Sequence, residues 1–271
     1  MLSKDEQLLC DSARNIFAVC FGLQLVCFIA SLFLNRLTVI PRRRLAKNSL
    51  MCLTHNICSS FAIFILSLLL LSGCTSITPK FLQILDRSIS QAIYVHPVSK
   101  NSHQAQLSAW QRQGSAWHRL YFISAVIGRN GLAAIGNKKE GDGKTPSGIF
   151  PLGPAFGYAS SMDTGLPYRQ ATDNDFWVDD ARSLQYNQWV KGVPAAGSFE
   201  RLKRLDNLYQ YGIVIGYNIH PVIPGAGSAI FMHVWRGYYS STAGCVAVNQ
   251  RNIRKILRWL SRQYQPVIIL E

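Results

Sequence analysis

Apolar positions along this chain follow two regimes. Residues 16–34 and 61–71 are almost unbroken apolar runs, whereas beyond residue 90 hydrophobic residues come in short bursts separated by Gly, Pro, Asn and Ser. The first run is nineteen residues without a charge, close to the ~20 that a helix needs to cross a bilayer. The second is shorter, nearer the core of a signal peptide. Arg42-Arg43-Arg44 and Lys47 lie between them; a basic cluster stays in the cytoplasm, which sends the following chain to the outer face.

The later bursts predict a β-rich body. Gln91-Ala92-Ile93-Tyr94-Val95-His96-Pro97 reads as a first strand, and the apolar pattern continues through 110–128 around a Gln-Gly-Ser turn. Strands are also expected at 211–218, 229–234 and 246–248, and at the closing Pro266-Val-Ile-Ile-Leu. Before the last of these, Asn249 or Asn252 can cap a helix with Ile253, Ile256, Leu257 and Leu260 on one face and arginines elsewhere. Residues 157–200 are mixed and aromatic without clear alternation, the character of a long binding loop.

The second apolar run ends in Leu71-Ser72-Gly73-Cys74, which resembles the lipobox of bacterial lipoproteins. That resemblance implies lipid on Cys74 and an anchored body on the periplasmic side of a bacterial envelope. Residues 1–50 then have two readings: a further membrane helix with a basic loop, or sequence upstream of a true start. Residues 51–74 form the signal-like segment, 75–90 a tether, and 91–271 the folded domain.

Composition narrows the partners. Residues 75–271 carry 21 Lys and Arg against 11 Asp and Glu, so the exported part is basic and suits anionic surfaces or wall carboxylates. No Arg-rich helix interleaved with aromatics points to nucleic acid. Glu140-Gly-Asp-Gly-Lys-Thr-Pro-Ser-Gly-Ile-Phe150 has a phosphate-loop look but lacks the Gly-x4-Gly-Lys spacing between strand and helix.

Cys245 is the only cysteine after Cys74, so no disulfide partner exists for it in an exported body. It sits in Ser241-Thr242-Ala243-Gly244-Cys245-Val246-Ala247, twelve residues after His233. A thiol of ordinary pKa near 8.5 needs a base to become a nucleophile at neutral pH, and histidine can take and return that proton. Antiparallel pairing of the two runs would bring the side chains together. Gly244 allows a tight turn, and N–H groups around Thr242, Ala243 and Gly244 are candidates for holding an oxyanion.

His233…Thr242-Ala243-Gly244-Cys245 resembles the His…[Ser/Thr]-x-Gly-Cys signature of the L,D-transpeptidase catalytic-domain family. Residues 140–150, Tyr217-Asn218, 225–233, and Trp177-Val-Asp-Asp180 with Ser183 and Tyr186-Asn187 are similar to a divergent branch of it. The resemblance covers about 93–271. It implies a mainly β fold with a few helices, a β-sandwich-like body behind N-terminal hydrophobic helices. It further implies a thioester formed between Cys245 and a meso-diaminopimelate carbonyl of a peptidoglycan stem peptide, with transfer to an amine. His233 is then the base and acid, oriented by a backbone carbonyl, and neither metal nor cofactor is required. Two departures stand out: family members often carry Arg soon after the cysteine and Gly after the histidine, where this chain has Val246-Ala247 and Val234. Arg236 or Arg251 is the candidate to take that arginine's place, and Arg236, Tyr186, Asn187 and His220 are the candidates for contacting substrate. The alternatives are an L,D-endopeptidase or carboxypeptidase that hydrolyses such bonds, and a peptidoglycan-binding lipoprotein without turnover.

Overall fold

A computed structural model describes residues 79–271. The apolar segments 16–34 and 61–71, the basic cluster and Cys74 lie outside the described residues. Among the described residues no helix is long and apolar enough to cross a membrane.

The body is mainly β, with two α-helices among the described residues. Its first strands follow the expected pattern: β1 (Gln91–Pro97), β2 (Gln104–Gln113) and β3 (Ala116–Val126) form an antiparallel meander. Short strands β4 (Leu132–Ala133) and β5 (Thr145–Pro146) pair with each other, and β6 (Gly148–Gly157) follows. Strands β7 (Tyr168–Gln170), β11 (Tyr211–Ile215), β12 (Phe231–Val234), β13 (Val246–Val248) and β14 (Val267–Leu270) complete a nine-stranded sheet ordered β11-β12-β13-β3-β2-β1-β14-β6-β7. Because β11 also pairs with β6, the sheet curls back on itself into a sandwich-like body.

Alternation explains the enclosed core. Ile93 and Val95 of β1, Leu107 of β2, Met232 and Val234 of β12, and Val246 and Val248 of β13 point to one side, where Ile253, Ile256 and Leu257 of helix α2 (Gln250–Trp259) meet them. Asn249 caps α2 by accepting the Asn252 N–H at 2.8 Å, which satisfies one of the helix's free donors. Helix α1 (Lys80–Gln83) buries its Leu82 fully and, with the following Leu85, packs it against Trp117, Val267 and Ile269. Part of the stretch expected to be a tether is therefore packed onto the body, because its leucines have an apolar face to cover.

Two further expectations are corrected. The 157–200 stretch contains a second, three-stranded sheet, β10 (Phe199–Arg201), β8 (Asp175–Val178) and β9 (Trp189–Lys191). In addition, β12 and β13 run parallel, with His233 beside Ala247. A parallel pair needs a long crossover rather than a hairpin, and 235–245 supplies it, pinned midway by a parallel bridge between Thr242 and Gly128.

Candidate active site

Strand alternation sets the site. Phe231, His233, Cys245 and Ala247 occupy the face of β12 and β13 opposite the enclosed core, and Met232 pairs with Val246. One step earlier in that register Cys245 lies beside Phe231, so His233 stands diagonally across the strand pair from the thiol. Thiol and imidazole thus share one face although the strands are parallel.

The turn before Cys245 is closed by its own threonine. Thr242 Oγ1 donates to the Cys245 carbonyl at 2.7 Å and accepts the Gly244 N–H at 3.1 Å. The Gly244 N–H is therefore already engaged and is not a free oxyanion donor in this state, while Ala243 is exposed. A Cβ on Gly244 would lie 3.0 Å from the Lys144 carbonyl oxygen and 3.2 Å from Ile230 Cδ1, so the close approach requires glycine. Lys144 belongs to the glycine-rich 140–150 loop. The next residue, Thr145, reaches the Cys245 carbonyl at 3.5 Å and accepts the Gly128 N–H at 2.9 Å. That loop is a platform under the cysteine turn.

The thiol donates to the Ala229 carbonyl at 3.2 Å, and its sulfur accepts the Phe231 N–H at 3.4 Å. His233 Nδ1 lies 2.8 Å from the Val234 carbonyl. A carbonyl only accepts, so Nδ1 carries the proton and Nε2 is left as the acceptor, the tautomer a general base requires. No hydrogen bond joins the thiol and the imidazole in this arrangement. Cys245 is 7% exposed and His233 6%.

Burial dominates the electrostatics. It pushes the Cys245 thiol up to about 12, with the Glu200 carboxyl adding to the effect, and pushes His233 down to about 4. Both groups are neutral near pH 7. The sign of the stability effect follows from linkage. Below pH 6.5 an unfolded chain protonates its histidine while folded His233 stays neutral, so stability falls as pH drops from about 6.5 to about 4. Above pH 9 an unfolded chain ionises its cysteine while folded Cys245 does not, so stability falls as pH rises. Each limb is expected to cost on the order of 3 kcal/mol. Thermal melting across pH should flatten on the alkaline side in Cys245→Ala and on the acid side in His233→Gln; unchanged limbs would refute the assignment.

The three-stranded sheet roofs the thiol. Trp177 of β8 meets Phe231 edge-on with ring centroids 4.9 Å apart, and both share an apolar cluster with Leu202, Tyr209 and Cys245. Asn187 ties this roof to the site. Its Oδ1 accepts from Trp177 Nε1 at 2.9 Å and from the Ala229 N–H at 3.1 Å, and its Nδ2 donates to the Tyr217 and Asn218 carbonyls at 3.2 and 2.7 Å. Ala229 has φ +51°, a costly left-handed conformation for alanine, and Asn187 holds it there while its carbonyl receives the thiol proton. Tyr186 donates to Glu140 Oε2 at 2.5 Å and accepts the Gly227 N–H at 3.0 Å. Tyr186 and Asn187 are buried with these polar atoms engaged in fixing the 217–229 loop. Asn187→Ala would strand the Trp177 and Ala229 donors in the interior. It is expected to lower unfolding free energy by about 3 kcal/mol or more, read as a reduced denaturant midpoint.

His220 is exposed in the turn after β11 and makes no hydrogen bond to these groups. Arg236 is better placed. It pairs with Asp206 at 2.9 Å, and Asp206 also receives two hydrogen bonds from Arg204 at 2.9 and 2.7 Å. All three charges act on His233. The Arg204 guanidinium covers the Tyr209 ring at 5.0 Å, and the Tyr209 hydroxyl donates to Glu200 Oε2 at 2.6 Å. Sequence reasoning missed Tyr209, Glu200, Arg204 and Asp206, which lie in no motif and are assembled only by the roof folding over β12.

The solved structures of Bdellovibrio bacteriovorus Bd1075 and of the helical cell shape determining protein Pgp2 from Campylobacter jejuni resemble the chain. Identities are 16% and 15%, TM-scores 0.38 and 0.34, with 68% and 70% of this chain covered. They cover 48% and 53% of those chains, so this protein spans about half the length of either. Comparison with curated proteins gave no match. The family model of the L,D-transpeptidase catalytic domain (YkuD) matches residues 90–269, from the start of β1 into β14 and across every residue of the site. The chain belongs to the L,D-transpeptidase catalytic-domain family, whose members act on peptidoglycan.

Proposed function

We propose that the domain is a cell-wall acyltransferase in which Cys245 takes up a peptidoglycan stem peptide as a thioester and passes it to an amine. The observation that carries this reading is the shared face of His233 and Cys245, with Nδ1 tied to the Val234 carbonyl and Nε2 left to accept a proton. In the first step the S–H proton moves to His233 Nε2 and sulfur bonds the carbonyl carbon. The tetrahedral intermediate then collapses, and the departing amine leaves with the proton from Nε2. An acceptor amine attacks the thioester, gives a proton to Nε2, and sulfur recovers it on leaving. Before the first step the thiol must turn from Ala229 toward the imidazole. The roof keeps bulk water from the thioester, which favours transfer over hydrolysis. Arg236 and Arg204, sharing Asp206 beside His233, offer a carboxylate grip in place of the arginine missing after Cys245.

A second reading, a peptidoglycan-binding domain without turnover, is favoured by the thiol's bond to Ala229 and its high pKa. Incubation of the full chain with muropeptides, followed by mass spectrometry, separates the readings. A stem-peptide adduct on Cys245 with cross-linked product supports transfer, shortened stems alone indicate an endopeptidase or carboxypeptidase, and no adduct leaves only binding. In the favoured reading lipid on Cys74, which becomes the N-terminus once the preceding signal segment is cleaved, holds the 91–271 domain at the periplasmic side of the membrane. Sequence supports that anchoring, and the same mass measurement on chain isolated from membranes reads the N-terminal lipid directly.

A further inference from the structure

Two titratable groups against the proposed nucleophile have no part in a mechanism of thiol and imidazole alone. Tyr209, 4% exposed, packs edge-on against Phe231 and His233 with ring centroids 5.6 and 5.1 Å away. Its hydroxyl donates to Glu200 Oε2 at 2.6 Å, and the residue shares an apolar cluster with Cys245. Tyr209 thus packs on the imidazole toward which the thiol must turn and, through Glu200 on β10, is tied to the roof.

A phenol has one proton to donate. While the thiol is neutral it gives its own proton to Ala229, and Tyr209 gives its proton to the carboxylate. Once the S–H proton passes to His233 Nε2, the sulfur becomes a charged acceptor faced by the new Nε2–H and by the Phe231 N–H at 3.4 Å. We propose that Tyr209 is a further hydrogen-bond donor to the Cys245 thiolate, turning its O–H from Glu200 to Sγ as the thiol ionises beside His233. The inference rests on Cys245 being the nucleophile. No covalent bond changes beyond the S–H proton transfer: the phenol O–H rotates about its C–O bond, and Glu200 loses one contact.

Glu200 competes for the same donor and repels the thiolate. The charged or titratable groups around Cys245 are His233, Glu200, Tyr209 and Arg204; those around His233 are Cys245, Tyr209, Arg204, Asp206 and Arg236; those around Glu200 are Tyr209, Cys245, Arg204, Asp179 and Glu140. Burial pushes the Glu200 carboxyl above its usual range, so protonation of this group both frees Tyr209 and removes a negative charge beside the sulfur.

The test is alkylation of the full-length chain by iodoacetamide across a pH series, with mass spectrometry following the Cys245 peptide alone. Tyr209→Phe keeps the ring and removes the donor. Its alkylation profile should move to higher pH, with roughly tenfold slower modification at a fixed pH on the rising limb. Glu200→Gln keeps an acceptor and removes the charge, so its profile should move to lower pH. Opposite shifts support the donor role. Unshifted profiles, or shifts of the same sign as a general loosening would produce, overturn it. Alkylation needs no stem peptide: opposite shifts without muropeptide turnover would uphold the donor and defeat the acyltransferase, whereas turnover with unshifted profiles would do the reverse.

Discussion

Cys245→Ala is expected to abolish the stem-peptide adduct and to lower turnover by at least about 10³-fold. The substitution removes the only atom that can form the thioester, while the surroundings accept a methyl group. Trp177, Phe231, Tyr209 and Leu202 line an apolar cluster around the sulfur, and the lost S–H bond leaves the Ala229 carbonyl and Phe231 N–H without this partner, a cost of about 1–3 kcal/mol. A cooperative melt in the variant, alongside intact mass and single-turnover assays, therefore separates lost chemistry from lost fold. Turnover retained within tenfold would sink the nucleophile assignment.

His233→Gln should cost the next most, about 10²–10⁴-fold in kcat, and it should change the shape of the pH profile. In the parent, His233 remains neutral above about pH 4 and the thiol remains protonated up to about 12. Turnover should therefore be flat across neutral pH, the imidazole taking the proton within the reaction step. Without that base the reaction depends on the small population of preformed thiolate, which grows roughly tenfold per pH unit. The variant's log rate should thus climb with a slope of about one, toward the parent's value at alkaline pH. A flat profile at reduced rate would mean that the imidazole only fills space.

The elements that the chain announces are those stabilised locally. The meander β1 to β3 carries alternation and a Gly114 turn, α2 carries an asparagine cap and an apolar stripe, β12 is a short, mostly apolar run, and β13 and β14 are short runs rich in branched residues. The roof was hidden because its strands are three or four residues long and are flanked by loops held by side chains such as Asn187. Periodicity also carries no direction, so the parallel pairing of β12 with β13 was not visible. At the site, the motif exposed Cys245, His233, Thr242 and Gly244, each on or beside one short strand. Tyr209, Glu200 and Arg204 lie on β10 and the loop after it, a stretch without a motif that meets His233 only once it folds over β12. The 140–150 motif was legible as a pattern, but its role became apparent only from contacts of Lys144 and Thr145 with the cysteine turn.

The roof also has a topological consequence. Gln170 at the end of β7 and Tyr211 at the start of β11 both pair with Gly157, on opposite sides of β6. With strands about 4.8 Å apart, the two ends of the intervening segment leave the body roughly 10 Å from each other. An insertion with such neighbouring ends behaves as a cassette: it can be exchanged or redesigned without rethreading the sheet. Segment 171–210 can thus vary in its exposed loops while the strands bearing His233 and Cys245 stay unaltered, provided that Asn187, Glu200 and Tyr209 keep their contacts.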